Sequence, residues 1–211
     1  GELERPLVVL ECIERLDRYD PHCASIFLGN YPLDTPADEL LNEFIPRLEN
    51  THYLGDSFPL FWPNFGPGIV AAFAGAQVHP AWDTTWFTPG QPGPIVDLRV
   101  ASNWQSPWWL RVTEITQAAV NRWGRELAGG FTDLGSNLDV LASLRDTRQL
   151  LRDLVKSPQE VDRLVGRQPV FGWLVMTGCI PVLHPPDAAS LAGDHAGQMA
   201  AATCFRATSP I

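Results

Sequence analysis

Apolar positions between Leu138 and Leu164 recur at helical intervals. Leu138, Leu141 and Leu144, then Leu150, Leu151 and Leu154, and finally Val161 and Leu164 follow spacings of three, four and seven. That period places the leucines on one side of successive helices, with Arg145, Arg148, Arg152 and Asp153 between them facing water. Ser136 or Asn137 supplies an N-cap, because a short side-chain oxygen accepts a free backbone N–H. Ser157-Pro158 restarts a helix, serine as cap and proline at the first helical position. The run opens on the pair Gly129-Gly130 and a polar turn. A glycine-opened turn feeding a helix is how a parallel α/β fold presents a site. A plain helical hairpin accounts for the same spacing.

The apolar run Pro6–Leu10 reads as a buried strand. Thr35-Pro36-Ala37-Asp38 starts a helix whose buried stripe is Leu40, Leu41, Phe44, Ile45 and Leu48. His52 and Tyr53 fall in a polar turn after it. Phe58–Gly68 (FPLFWPNFGPG) is a stiff aromatic loop, its prolines and glycines restricting the backbone. It feeds a short helix over 69–73 that Gly75 closes. Such a loop is a pocket wall or a packed plug. A longer helix is predicted from Trp108 to about Gly124, with Val112, Ile115, Ala119 and Val120 roughly on one face. Leu127–Phe131 ends a strand, and the turn beyond it carries Thr132, Asp133 and Ser136.

Composition narrows the class. The 211 residues are 45% hydrophobic and 18% charged, enough for one globular domain with a core. Net charge is −9, without basic clusters, which argues against nucleic acid and anionic membrane partners. No apolar run reaches the roughly 18 residues of a spanning helix. No basic-then-apolar leader follows Gly1, the four cysteines form no C-x-x-C pair, and the expectation is a cytoplasmic protein with reduced thiols. Most of the eight tryptophans lie between Trp62 and Trp123, an aromatic-rich region. Past Leu164 the character changes. Residues 165–211 hold Arg167, Asp187, Asp194 and Arg206 as their only charges and show little amphipathic period. They read as a divergent tail, out of frame or foreign to the preceding fold.

Three stretches carry a resemblance. Gly1-Glu2-Leu3-Glu4-Arg5-Pro6-Leu7-Val8, the loop and helix from Phe58 to Val78 closed by Gly75, and Leu150-Leu151-Arg152-Asp153-Leu154 followed by Pro158 and Glu160 resemble landmarks of the uroporphyrinogen decarboxylase superfamily, in order, over residues 1–164. The resemblance implies an α/β fold, a partial TIM (β/α)8 barrel with Pro6–Leu10 and Leu127–Phe131 in one ring of strands. A whole barrel takes about 250 residues. Several strands are then absent, edges stay unpaired, and the isolated chain is expected to be marginally stable or to lean on partners, a homodimer among them.

The implied ligand is a tetrapyrrole or corrinoid, and the implied activity a carboxy-lyase. Alternatives are a cobalamin-dependent methyltransferase-like protein, which uses zinc or cobalamin, a binding protein without chemistry, and an inactive fragment. No cofactor is expected in the decarboxylase reading. Arg15 and Arg18 sit where the family grips substrate carboxylates. Asn64 falls at about the position of the family's aspartate, and an amide cannot hold the charge that would stabilise a protonated pyrrole. Asp83, between Trp82 and Trp86, is an acid/base candidate if buried. His79 lies beside it, and Trp62 and Trp86 offer flat faces for the ligand. Asp133 is the third catalytic candidate, because residues just past a barrel strand line the open end.

Overall fold

The computed structural model describes residues 5–14, 26–81, 84–101, 103–124 and 126–166. The proposed 165–211 tail thus lies outside the described residues beyond Gly166. In chain order the elements are β1 (Val9–Ile13), α1 (Ala37–Asn42), α2 (Ile45–Glu49), β2 (Thr51–Gly55), β3 (Leu60–Phe61), α3 (Ile69–Phe73), β4 (Gln77–Ala81) and β5 (Thr84–Thr88). Then come α4 (Pro107–Trp123), β6 (Ala128–Gly129), α5 (Asn137–Arg145), α6 (Thr147–Lys156) and α7 (Pro158–Val165). Short 3-10 turns stand at Leu28–Asn30 and Ile95–Asp97.

Among the described residues the strands pair two by two. β1 runs antiparallel to β2 and β4 antiparallel to β5, whereas β3 and β6 are parallel. Strands β1 and β6 lie in different sheets, so Pro6–Leu10 and Leu127–Phe131 do not share the one ring expected of them, and no closed barrel forms among the described residues. The parallel pair is reached through α3, the β4–β5 hairpin and α4.

Helix α3 is the centre of the core. All five of its residues are buried, and a helix apolar all round belongs inside. Phe61, Phe65, Leu40, Leu41 and Phe44 pack with it, as does one side of α4. On α4 that side is Trp109, Val112, Ile115, Thr116 and Ala119; Val112, Ile115 and Ala119 are the expected members, whereas Val120 is only half-buried. The Thr116 hydroxyl donates back to the Val112 carbonyl at 2.7 Å. Pro107 sits in the first turn and Gly124, at φ 53°, ends the helix. A second cluster of Ile95, Leu141, Leu150, Val161 and Leu164 ties α5, α6 and α7 together.

Four local expectations are corrected. The apolar run Pro6–Leu10, which overlaps the start of β1, is not buried: Leu7 is 61% and Val9 65% exposed. The helix predicted to begin on a Thr35 cap starts after Pro36 without a side-chain cap, and it breaks in two at Glu43-Phe44. Pro46 lacks an N–H and cannot donate to the Asn42 carbonyl, and at the break the bonds are i→i+3, Glu43 N to Leu40 O and Phe44 N to Leu41 O, both 3.2 Å. His52 and Tyr53 are in strand β2, opposite Cys12 and Glu11. Arg145 and Asp153, expected in water, are paired and largely buried.

Candidate functional site

The carboxyl ends of β3 and β6 open onto two neighbouring loops. Register pairs Leu60 with Ala128 and Phe61 with Gly129. The Gly130 N–H then donates to the Phe61 carbonyl at 2.8 Å, carrying the pairing one residue further. Loop 62–68 runs on to α3, and loop 130–136 runs on to α5. A Cβ at Gly130 would stand 3.6 Å from the Trp62 Cα, and one at Gly135 would stand 2.8 Å from the Pro67 carbonyl oxygen. Gly135 adopts φ 63°, so both space and backbone require glycine there. In open α/β sheets ligands settle at the carboxyl ends of parallel strands, where such loops converge.

Asn64 is buried in the first loop. Its Oδ1 accepts the Gly66 N–H at 3.0 Å, and its backbone carbonyl accepts the Leu28 N–H at 2.8 Å. The side chain therefore closes an Asx turn, and the backbone anchors the loop to the 3-10 turn of Leu28–Asn30. Trp62 stands at the start of the same loop, 40% exposed.

Asp133 turns the second loop. Its Oδ1 accepts the Gly135 N–H at 2.8 Å. A capping box then starts α5, the Ser136 hydroxyl accepting the Asp139 N–H while the Asp139 carboxylate accepts the Ser136 N–H. Thr132, immediately before Asp133, is buried with its hydroxyl unpartnered. Sequence reasoning passed over Thr132 as part of a turn. It also missed the contact of Gly135 with Pro67, for which a lone glycine just ahead of a helix cap was the available signal.

The structure thus brings the segments of Trp62, Asn64 and Asp133 together. It places two other candidates elsewhere. His79 and Trp86 are cross-strand partners in the β4–β5 hairpin. Side chains alternate along β5, so the buried Thr85 faces Gly66 while Trp86, 66% exposed, faces out with His79. The His79 ring is hydrogen-bonded through Nε2 to the Thr88 hydroxyl at 2.7 Å. Arg15, Arg18 and Asp83 lie outside the described residues.

No family model, curated protein or solved structure matches the chain. Among the described residues no group of three His, Cys, Asp or Glu side chains could hold a metal ion. A separate open groove of about 560 Å³ lies along α1 and α4, lined by Asp38, Asn42, Ala118, Asn121 and Arg122. Its guanidinium is already engaged, Arg122 donating to Asn42 Oδ1 at 2.8 Å and lying over the Trp123 ring. The loops beyond β3 and β6 carry the exposed indole of Trp62, the Asp133 carboxylate and loop backbone, groups whose chemistry is stacking and hydrogen bonding. Neither Asn64 nor Asp133 is paired with a second acid or base for proton transfer in the hydrogen bonds that hold them.

Proposed function

We propose that the chain is a ligand-binding relative of the uroporphyrinogen decarboxylases, part of a (β/α)8 barrel in origin, that takes a tetrapyrrole or corrinoid without decarboxylating it. The motif order over residues 1–164 supports the kinship. The observation that carries the binding reading is the convergence of the Trp62 and Asp133 loops beyond the parallel β3–β6 pair. The case against catalysis rests on Asn64, a neutral side chain committed to the Gly66 N–H where a charged carboxylate is expected.

Titration of the full chain with a porphyrin and with cobalamin tests this. Saturable quenching of tryptophan fluorescence, lost in Trp62→Ala, is the expected result. Absence of saturable quenching with both ligands sinks the binding reading. Release of carbon dioxide from uroporphyrinogen by the purified chain would overturn the non-catalytic part and make it an enzyme.

A further inference from the structure

Helix α6 has an exposed face that takes no part in the loops beyond β3 and β6. Its buried residues are Leu150 and Asp153. Away from them Leu151 is 60%, Leu154 43% and Val155 82% exposed. Arg148, Arg152 and Lys156 recur every fourth residue and are exposed as well. At about 100° per residue these two sets form adjacent stripes, one apolar and one basic. Among the described residues no carboxylate lies within ion-pair distance of the three cations. The helix's own acid, Asp153, is held by Arg145. An unneutralised basic stripe is out of keeping with a chain of net charge −9.

We propose that this face docks an acidic amphipathic helix of a partner protein. Leucine-like residues at i and i+4 of such a helix cover Leu151, Leu154 and Val155. Carboxylates one position around the partner's axis meet Arg148, Arg152 and Lys156. Helix-on-helix docking of this kind reads apolar anchors at helical spacing, and complementary charge sets orientation and encounter rate. A second copy presenting its own α6 is disfavoured, because it brings the same three cations. An anionic lipid surface matches the stripe but repels the remainder of an acidic chain.

The test uses the full chain and a fluorescein-labelled synthetic helix with leucine and glutamate repeating at i and i+4. Anisotropy is expected to show saturable binding that weakens with added salt. Arg148→Glu/Arg152→Glu and Val155→Asp are each expected to weaken it by about tenfold or more, equivalent to about 1.4 kcal/mol. Val155 is so exposed that its variant should melt like the wild type. Phosphatidylserine vesicles and sedimentation of the chain alone are the control arms. Absence of saturable peptide binding, binding that both variants leave unchanged, tighter binding to vesicles than to peptide, or self-association abolished by Val155→Asp would each overturn the proposal.

Discussion

Arg145 and Asp153 meet across the junction of α5 and α6, guanidinium Nε to carboxylate Oδ2 at 2.6 Å, with side-chain exposures of 14% and 11%. The Arg145 guanidinium also donates to the Gly93 carbonyl, so the pair ties the two helices to the 89–94 loop. Truncating one partner of a largely buried pair strands the other charge, which costs about 3 kcal/mol or more. Asp153→Ala is therefore expected to lower the urea midpoint strongly, whereas Arg145→Met/Asp153→Leu recovers most of the loss. A double variant as unstable as the single one would show that the pair matters for its own attraction and not for the charge left behind.

Asn64 is buried, and its Oδ1 answers the Gly66 N–H at 3.0 Å. Asn64→Ala leaves that donor unpaired at a cost of about 1–3 kcal/mol. Asn64→Asp keeps an acceptor but adds a buried negative charge. Burial raises a carboxyl's pKa, so the variant should be least stable at neutral pH and approach the wild type as pH falls below the unfolded carboxyl value of about 4. Urea unfolding at neutral and acid pH measures both. Equal stability of Asn64→Asp and wild type at neutral pH would mean that the loop opens the site to solvent.

The difference between what was legible and what was not has a physical basis. Helix α4 was readable within one or two residues because its buried stripe, its proline at the start and Gly124 at the end all agree. Likewise residue type alone narrowed the cap of α5 to Ser136 or Asn137, of which Ser136 caps, and pointed to the glycine closing α3. The exposed run at Leu7–Leu10 was not, since an apolar run reports affinity for cover and not whether cover is present. Arg145 and Asp153 were misplaced because their partners sit eight residues apart on two helices, outside any single helical period. Site residues followed the same rule. Asp133 was singled out because it follows the strand end at Leu127–Phe131, while Trp62 and Trp86 were grouped as flat faces and His79 as a neighbour of Asp83, which ignores the alternation that turns His79 and Trp86 outward.

Gly66 lies at φ 89°, and a Cβ there would come within 2.8 Å of the Thr85 Cβ. At Gly68 an added Cβ would collide with the Phe87 ring. These glycines let the aromatic loop seat against β5. Gly66→Ala combines left-handed strain with a clash, each costing on the order of 1 kcal/mol or more. Its melting temperature should fall further than that of Gly93→Ala, where a Cβ meets nothing within 4 Å. Similar melting of the two variants would show that the loop and hairpin part without penalty. Under the proposed ligand reading, Gly66→Ala should also weaken the tryptophan quenching by displacing the loop that starts at Trp62.

Tyr53, on β2 opposite Glu11, has its phenol pKa raised above the ordinary 10.0, chiefly by burial and then by the nearby Glu11 charge. A raised folded-state pKa means that the folded chain holds the proton more tightly than the unfolded one. The stability this contributes is complete below pH 10 and is lost as pH climbs through the folded value. Tyr53→Phe removes the titrating group, so its stability should decline less steeply than wild type above pH 10. Absorbance near 295 nm should likewise show a tyrosine step above pH 10 in the folded chain that vanishes in the variant. If no step above pH 10 is lost in Tyr53→Phe, Tyr53 is open to water, and the β1–β2 pairing that half-buries it does not persist in solution.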